Sequence, residues 1–154
     1  MSDMRPNRPD RAAALFQEGA LCSQAICQAY GDELGFSAGM ASRVAGGFGS
    51  GLARTDGICG AVSGAVMVLG LAFGSDDATD RPARELLYAI VQEFIAEFRD
   101  RHGSVSCTEL LGYDLGNAEE AAAAREAGVV PRVCPVMVRS AAELLEEMLG
   151  RRER

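Results

Sequence analysis

A chain of 154 residues with a net charge of −7 is long enough for one domain with its own core. It is too acidic to offer the basic footprint that nucleic acid or an anionic membrane surface requires. All fifteen cations are Arg, so Schiff-base chemistry and a phosphate-gripping Walker lysine are excluded.

Apolar residues make up 48% of the chain and aromatics 6%, with no Trp. Such a core is built from Ala, Val, Leu, Met and Gly, which suits close helix–helix approach. The opening MSDMRPNRPDR contains no apolar secretory stretch. An odd count of five Cys in such a chain argues against a disulfide framework. It points instead to a cytoplasmic setting with metal binding or thiol chemistry.

No alternation persists long enough for a sheet, and helical patterns dominate. Residues 1–8 are expected to be disordered. Pro9-Asp10 opens a helix with Ala12, Leu15 and Phe16 on one side, and Gly19 interrupts it. A second helix is predicted over 22–34, with Ala25, Ile26, Ala29 and Tyr30 at helical spacing and Gly35 as its stop. Ser37 caps a short third helix through Ala45. The run Gly46-Gly47-Phe48-Gly49-Ser50-Gly51 reads as a flexible connection; it is no phosphate loop, since it lacks the G-K-[ST] ending and a preceding strand. Its role is either to bring backbone close to a site or simply to turn.

Residues 57–74 (GICGAVSGAVMVLGLAFG) carry no charge over eighteen positions, the edge of transmembrane length. The segment has five Gly and no aromatic belt, and Asp76 and Asp77 follow it. It reads as a buried central helix over 58–73, not as a membrane insertion. SDDATD is a polar loop. Pro82 starts a long amphipathic helix to His102, striped by Leu86, Leu87, Ile90, Val91, Phe94, Ile95 and Phe98. A short helix over 107–111 follows. Asn117 caps another to Ala127, closed by Gly128, and the last is expected from Pro135 to Leu149. The fold class is therefore all-α: a single-domain bundle of about six to seven helices around a central apolar, Gly-rich helix, spanning 9–150. A basic tail, 151–154, complements the end of the last helix.

Four of the five cysteines fall in a predicted first helical turn: Cys22, Cys59, Cys107 and Cys134. Helix N-termini offer unpaired N–H groups and partial positive charge, which favour the thiolate, and the thiolate is both nucleophile and metal ligand. Four helices could each aim one sulfur at a shared point. The spacings of 37, 48 and 27 residues include no C-x-x-C, so neither a zinc ribbon nor a ferredoxin loop is present. Cysteines buried as small apolar residues are the ordinary alternative. Cys27, five residues after Cys22, points about 140° away on a helix and belongs to the core.

The segment Cys59-Gly60-Ala61-Val62-Ser63-Gly64 reads C-G-A-x-x-G, with one cysteine before it and two after. Together with Arg101-His102-Gly103-Ser104, Glu109-Leu110-Leu111-Gly112 and Val133-Cys134-Pro135, it resembles the C_GCAxxG_C_C family of redox-active proteins across about residues 10–149. The resemblance implies that Cys22, Cys59, Cys107 and Cys134 are the defining cysteines, with a redox or cluster role and no stated substrate. Related four-cysteine domains are fused to cytochromes, where an iron–sulfur cluster is the proposed occupant.

Three readings follow. In the first, four thiolates bind metal, foremost an iron–sulfur cluster of the [2Fe–2S] type, for electron transfer to a redox partner protein or for redox sensing; zinc is the structural variant. The second is metal-free thiol–disulfide chemistry. The third is a non-catalytic helical interaction module, with a homodimer through an exposed apolar helix face. Gly60 and Gly64 form a small-residue step that allows a neighbouring helix close approach. His102, the one histidine, lies at a helix C-terminus that favours its cation, or serves as a donor near Cys107. Tyr30, Tyr88 and Tyr113 read as packing residues, and Glu143, Glu146 and Glu147 as a solvated face.

Overall fold

The structure, a computed structural model, describes residues 7–152. Residues 1–6, part of the segment expected to be disordered, lie outside it, as do the last two residues of the basic tail. Asn7 and Arg8 are ordered: the Asn7 side chain accepts from the Asp10 amide and caps α1 (Arg8–Gln17). The described residues are almost entirely helical, and the single extended pairing among them is an isolated bridge, Ile58 with Ser106.

The starts and stops follow local chemistry. α2 (Cys22–Gly31) tightens into a 3₁₀ turn, Asp32–Leu34, and ends at left-handed Gly35. Ser37 caps α3 (Ala38–Ala45), Asp80 caps α6 (Arg81–His102), Ser106 caps α7 (Cys107–Leu111) and Asn117 caps α8 (Ala118–Ala127), each by accepting a first-turn N–H. The apolar helix α5 (Gly60–Phe73) sits at the centre, packed on α2, α6 and α9 (Val129–Arg152), while α1 closes over α2 and α9. No helix among the described residues is long and apolar enough to cross a membrane.

Burial of Ile26, Val62, Val68, Leu69, Phe94, Phe98, Val138, Leu144 and Leu145 drives the assembly, each contributing about 1.5–3 kcal/mol. α2 and α5 touch nearly backbone to backbone, because a Cβ on Gly64 would stand 2.8 Å from the Ser23 carbonyl oxygen. Ser23 itself is fully buried and donates to the Ala45 carbonyl at 2.8 Å, tying α2 to α3. Tyr30 donates to the Ala142 carbonyl at 2.9 Å and to Glu146 at 3.1 Å, tying α2 to α9. Glu146 also holds Arg8, so it is a half-buried, paired acid and not a free one on a solvated face. Tyr88 is exposed and packs little.

Two expectations are corrected. α9 begins at Val129, directly after left-handed Gly128, so Pro135 lies inside the helix. Its missing N–H would have bonded the carbonyl of Pro131 in the opening turn, so the loss is confined to one end of a long helix. The glycine run, expected to be flexible, is ordered instead: a 3₁₀ turn, Gly46–Phe48, leads into α4 (Gly49–Arg54), a turn of left-handed helix. Ser50, Leu52, Ala53, Arg54 and Asp56 all have positive φ. Each costs about 1–2 kcal/mol in this conformation. Gly57 and Thr55 donate back to the Gly51 carbonyl, at 2.8 and 3.2 Å, and hold the turn closed.

Candidate functional site

The glycine-rich turn and three helix beginnings meet at one place. Cys22 is the first residue of α2, Cys59 the N-cap of α5, and Cys107 the first residue of α7. The bridge between Ile58 and Ser106 sets two of them side by side, with the Cys59 amide donating to the Val105 carbonyl at 2.8 Å and the Cys107 amide to the Gly57 carbonyl at 3.1 Å. Cys134 reaches the same place from the second turn of α9, not from a helix start as the sequence suggested. All four line one cavity of about 300 Å³, walled by Phe16, Leu110, Leu111, Val130, Val133 and Met137 and without a charged side chain. The four cysteines are free thiols.

Burial governs their acidity. It pushes Cys59 and Cys134 up to about 12 and Cys107 up to about 11, and raises Cys22 as well. Like-charge repulsion adds to this: Cys22 acts on Cys59, Cys107 and Cys134, and Cys107 acts on Cys59 and Cys134. Asp56 and Asp114 press on Cys107 in the same sense. Against the rise at Cys22 stand the backbone N–H groups of Ser50, Ser23, Cys22 itself and Ala61; at Cys59 stand those of Ala61 and Val62. The N–H donors are thus concentrated on the Cys22–Cys59 side.

Glycines make room for the sulfurs. A Cβ on Gly60 would overlap the Cys22 sulfur, and one on Gly51 would come within 2.7 Å of the Cys107 Cβ. Of the two roles open to the glycine run, close approach of backbone to the site is the one observed: Ser50 lines the cavity and Gly51 packs on Cys107, positions within the run that the sequence did not single out. Their signal was the glycine density. Gly64 serves the α2–α5 contact, away from the cavity.

Cys27 lies in the core, as expected, fully buried, with its thiol donating toward the Gly64 carbonyl and touching the Met67 sulfur. His102 does not line the cavity. It hydrogen-bonds Ser140 at 2.6 Å and packs on Phe98. Burial first and Arg101 second lower its pKa, so the cation is disfavoured, contrary to the helix-end expectation. Among the described residues, no three His, Cys, Asp or Glu side chains are gathered around a single-ion position. The sulfurs stand around a shared cavity and not at a shared point.

An all-helical chain that brings four thiols from four separate elements to one apolar cavity is, as a class, a four-cysteine helical protein. The model of the family described as "Putative redox-active protein (C_GCAxxG_C_C)" matches residues 20–148, which takes in all four cysteines, and the chain belongs to that family. Comparisons with curated proteins and with solved structures give no significant match.

Proposed function

We propose that this protein is a redox protein whose four cavity cysteines hold an iron–sulfur cluster of the [2Fe–2S] type, used for electron transfer or redox sensing. The observation that carries the reading is the cavity itself: four free thiols, apolar walls and no charged lining residue. Four thiolates there would repel one another in a poorly solvated space, and metal cations relieve that repulsion. The donor set is soft, all-sulfur and of the number such a cluster takes. A binuclear centre also suits thiols that surround a cavity without converging on one ion, whereas a mononuclear zinc site requires four ligands around one point. When bound, such a cluster would supply one-electron chemistry.

The chain's own part is to place and tune the ligands. Cys22 and Cys59 would be held by N–H groups that favour charge on their sulfurs, and Gly60 and Gly51 keep the approach clear. Thiol–disulfide exchange is the competing reading. It asks for a thiolate near neutral pH, beside a cation or at low burial, and the raised thiols here run against it. Free thiols in either case fit a reducing compartment such as the cytosol.

Reconstitution under anaerobic conditions with ferric iron, sulfide and a thiol reductant tests the proposal. The expected result is visible absorption with about two irons and two labile sulfides per chain. Protein that stays colourless and iron-free, with a thiol count that switches reversibly by two under oxidant, would replace it with the disulfide reading.

A further inference from the structure

A second cavity, of about 430 Å³, adjoins the first and shares three of its walls: Ser50, Leu115 and Val130. Arg54, at the end of the left-handed turn, and Arg125, on α8, also line it, along with Ala124 and Pro131. Its volume lies in the range of small-molecule sites. Its lining is mixed: two exposed arginines share it with small aliphatic side chains.

Neither arginine has a carboxylate partner among the described residues, as is also true of Arg43, Arg81, Arg84, Arg99 and Arg132, whereas Arg8, Arg11, Arg101, Arg139, Arg151 and Arg152 each have one; what sets Arg54 and Arg125 apart is that they line one cavity together. Asp56 and Asp114, which act on Cys107, do not line this cavity. Arg54 is carried by backbone with a φ of 65°, a conformation that costs energy and that surrounding contacts must hold in place.

We infer that this cavity binds a small oxyanion-bearing molecule, its carboxylate or phosphate gripped by Arg54 and Arg125 and its apolar body lying on Leu115, Val130 and Pro131. Guanidinium forks recognise both oxyanions in bidentate fashion. The shared walls set such a ligand directly beside the cysteine cavity, so its occupancy would be sensed there. The inference does not depend on what the four thiols hold.

Titration of the reduced, full-length protein with benzoate, phenyl phosphate and inorganic phosphate, followed by calorimetry and by backbone amide NMR, tests it. Saturable binding is expected for at least one probe, with shifts at Ser50, Leu115 and Val130. Preference for benzoate assigns a carboxylate ligand, and preference for phenyl phosphate assigns a phosphoryl one. Arg125→Ala, an exposed change on α8, should weaken binding by at least about tenfold, the worth of one charged hydrogen-bonded contact, at unchanged melting temperature. Arg54→Lys should weaken it less than Arg54→Ala. No saturable binding by any probe, or affinity unchanged in Arg125→Ala, overturns the inference. Iron content and absorption are separate measurements, so this failure is distinguishable from failure of the cluster reading.

Discussion

Cys22 is the residue on which the site turns. Its charge acts on the other three thiols, the backbone N–H groups of Ser50, Ser23 and Ala61 oppose the rise in its own pKa, and its sulfur occupies the space that Gly60 leaves free. Serine at Cys22, Cys59, Cys107 or Cys134 is expected to abolish stable iron uptake, while Cys27→Ser, whose thiol lies in the core, should retain the chromophore at some cost in stability; iron analysis of the five variants checks this. Because burial holds the cavity thiols protonated near neutral pH, ligation must expel protons. Iron and sulfide loading in weakly buffered solution at pH 7.5 should therefore release up to about six protons per chain, four from the thiols and two from hydrosulfide, read with a pH indicator. His102 gives a pH prediction of definite sign. Its folded pKa lies below the ordinary histidine value of 6.5, so the unfolded chain binds the proton more tightly. Its contribution is complete above pH 6.5 and is lost as pH falls through the lowered value. Between pH 7 and pH 5 the wild type should lose more stability than His102→Gln in urea titrations.

At the scale of elements, the glycines of α5 separate into opposite classes. Gly64→Ala pushes a Cβ into the Ser23 carbonyl and the Ile26 side chain, and the contact is backbone, which cannot rotate away. A loss of about 1–3 kcal/mol is expected. Gly70 has nothing within 4 Å of a Cβ, so Gly70→Ala should gain about 0.5–1 kcal/mol by helix propensity alone. The left-handed turn reverses the usual rule for alanine. Ala53→Gly relieves an unfavourable φ and should be neutral or stabilising, whereas Ala122→Gly within α8 should cost about 1 kcal/mol. Thermal melts of the four variants, compared as differences, decide both points.

For the whole molecule, the core and the site are adjacent but separable. The buried cluster built on Phe94, Phe98, Leu144, Leu145 and Met148 needs only hydrocarbon burial, with Cys59 alone of the four cavity cysteines among its buried members. Metal-free protein should therefore keep its helical far-ultraviolet signal, unlike small zinc domains that unfold without metal, and loading should raise the melting temperature by mass action. Loss of most helix on iron removal would show that the site, not the core, holds the fold.

Much of this was readable from the chain alone, because the signals were local. The helices over 22–34, 38–45, 107–111 and 118–127 announce themselves through caps and stops, and the stripe from Leu87 to Phe98 through a period that only a helix satisfies. The four cysteines were recognisable from their positions and from the C-G-A-x-x-G segment, but Cys134 was assigned to a helix start because Pro135 favours a first turn. The structure starts α9 at Val129, since Gly128 provides the break and the long helix tolerates one missing bond near its end. The glycine run was legible only as glycine-rich. Its left-handed path, the Ser50 amide directed at Cys22 and the pair of arginines beside the cavity depend on which backbone stands opposite, and that is settled by packing between distant segments. Local hydrogen bonding and hydrophobic spacing act within a few residues and are written into the sequence; the meeting of four sulfurs around one cavity joins residues 37, 48 and 27 positions apart and exists only once the helices have packed.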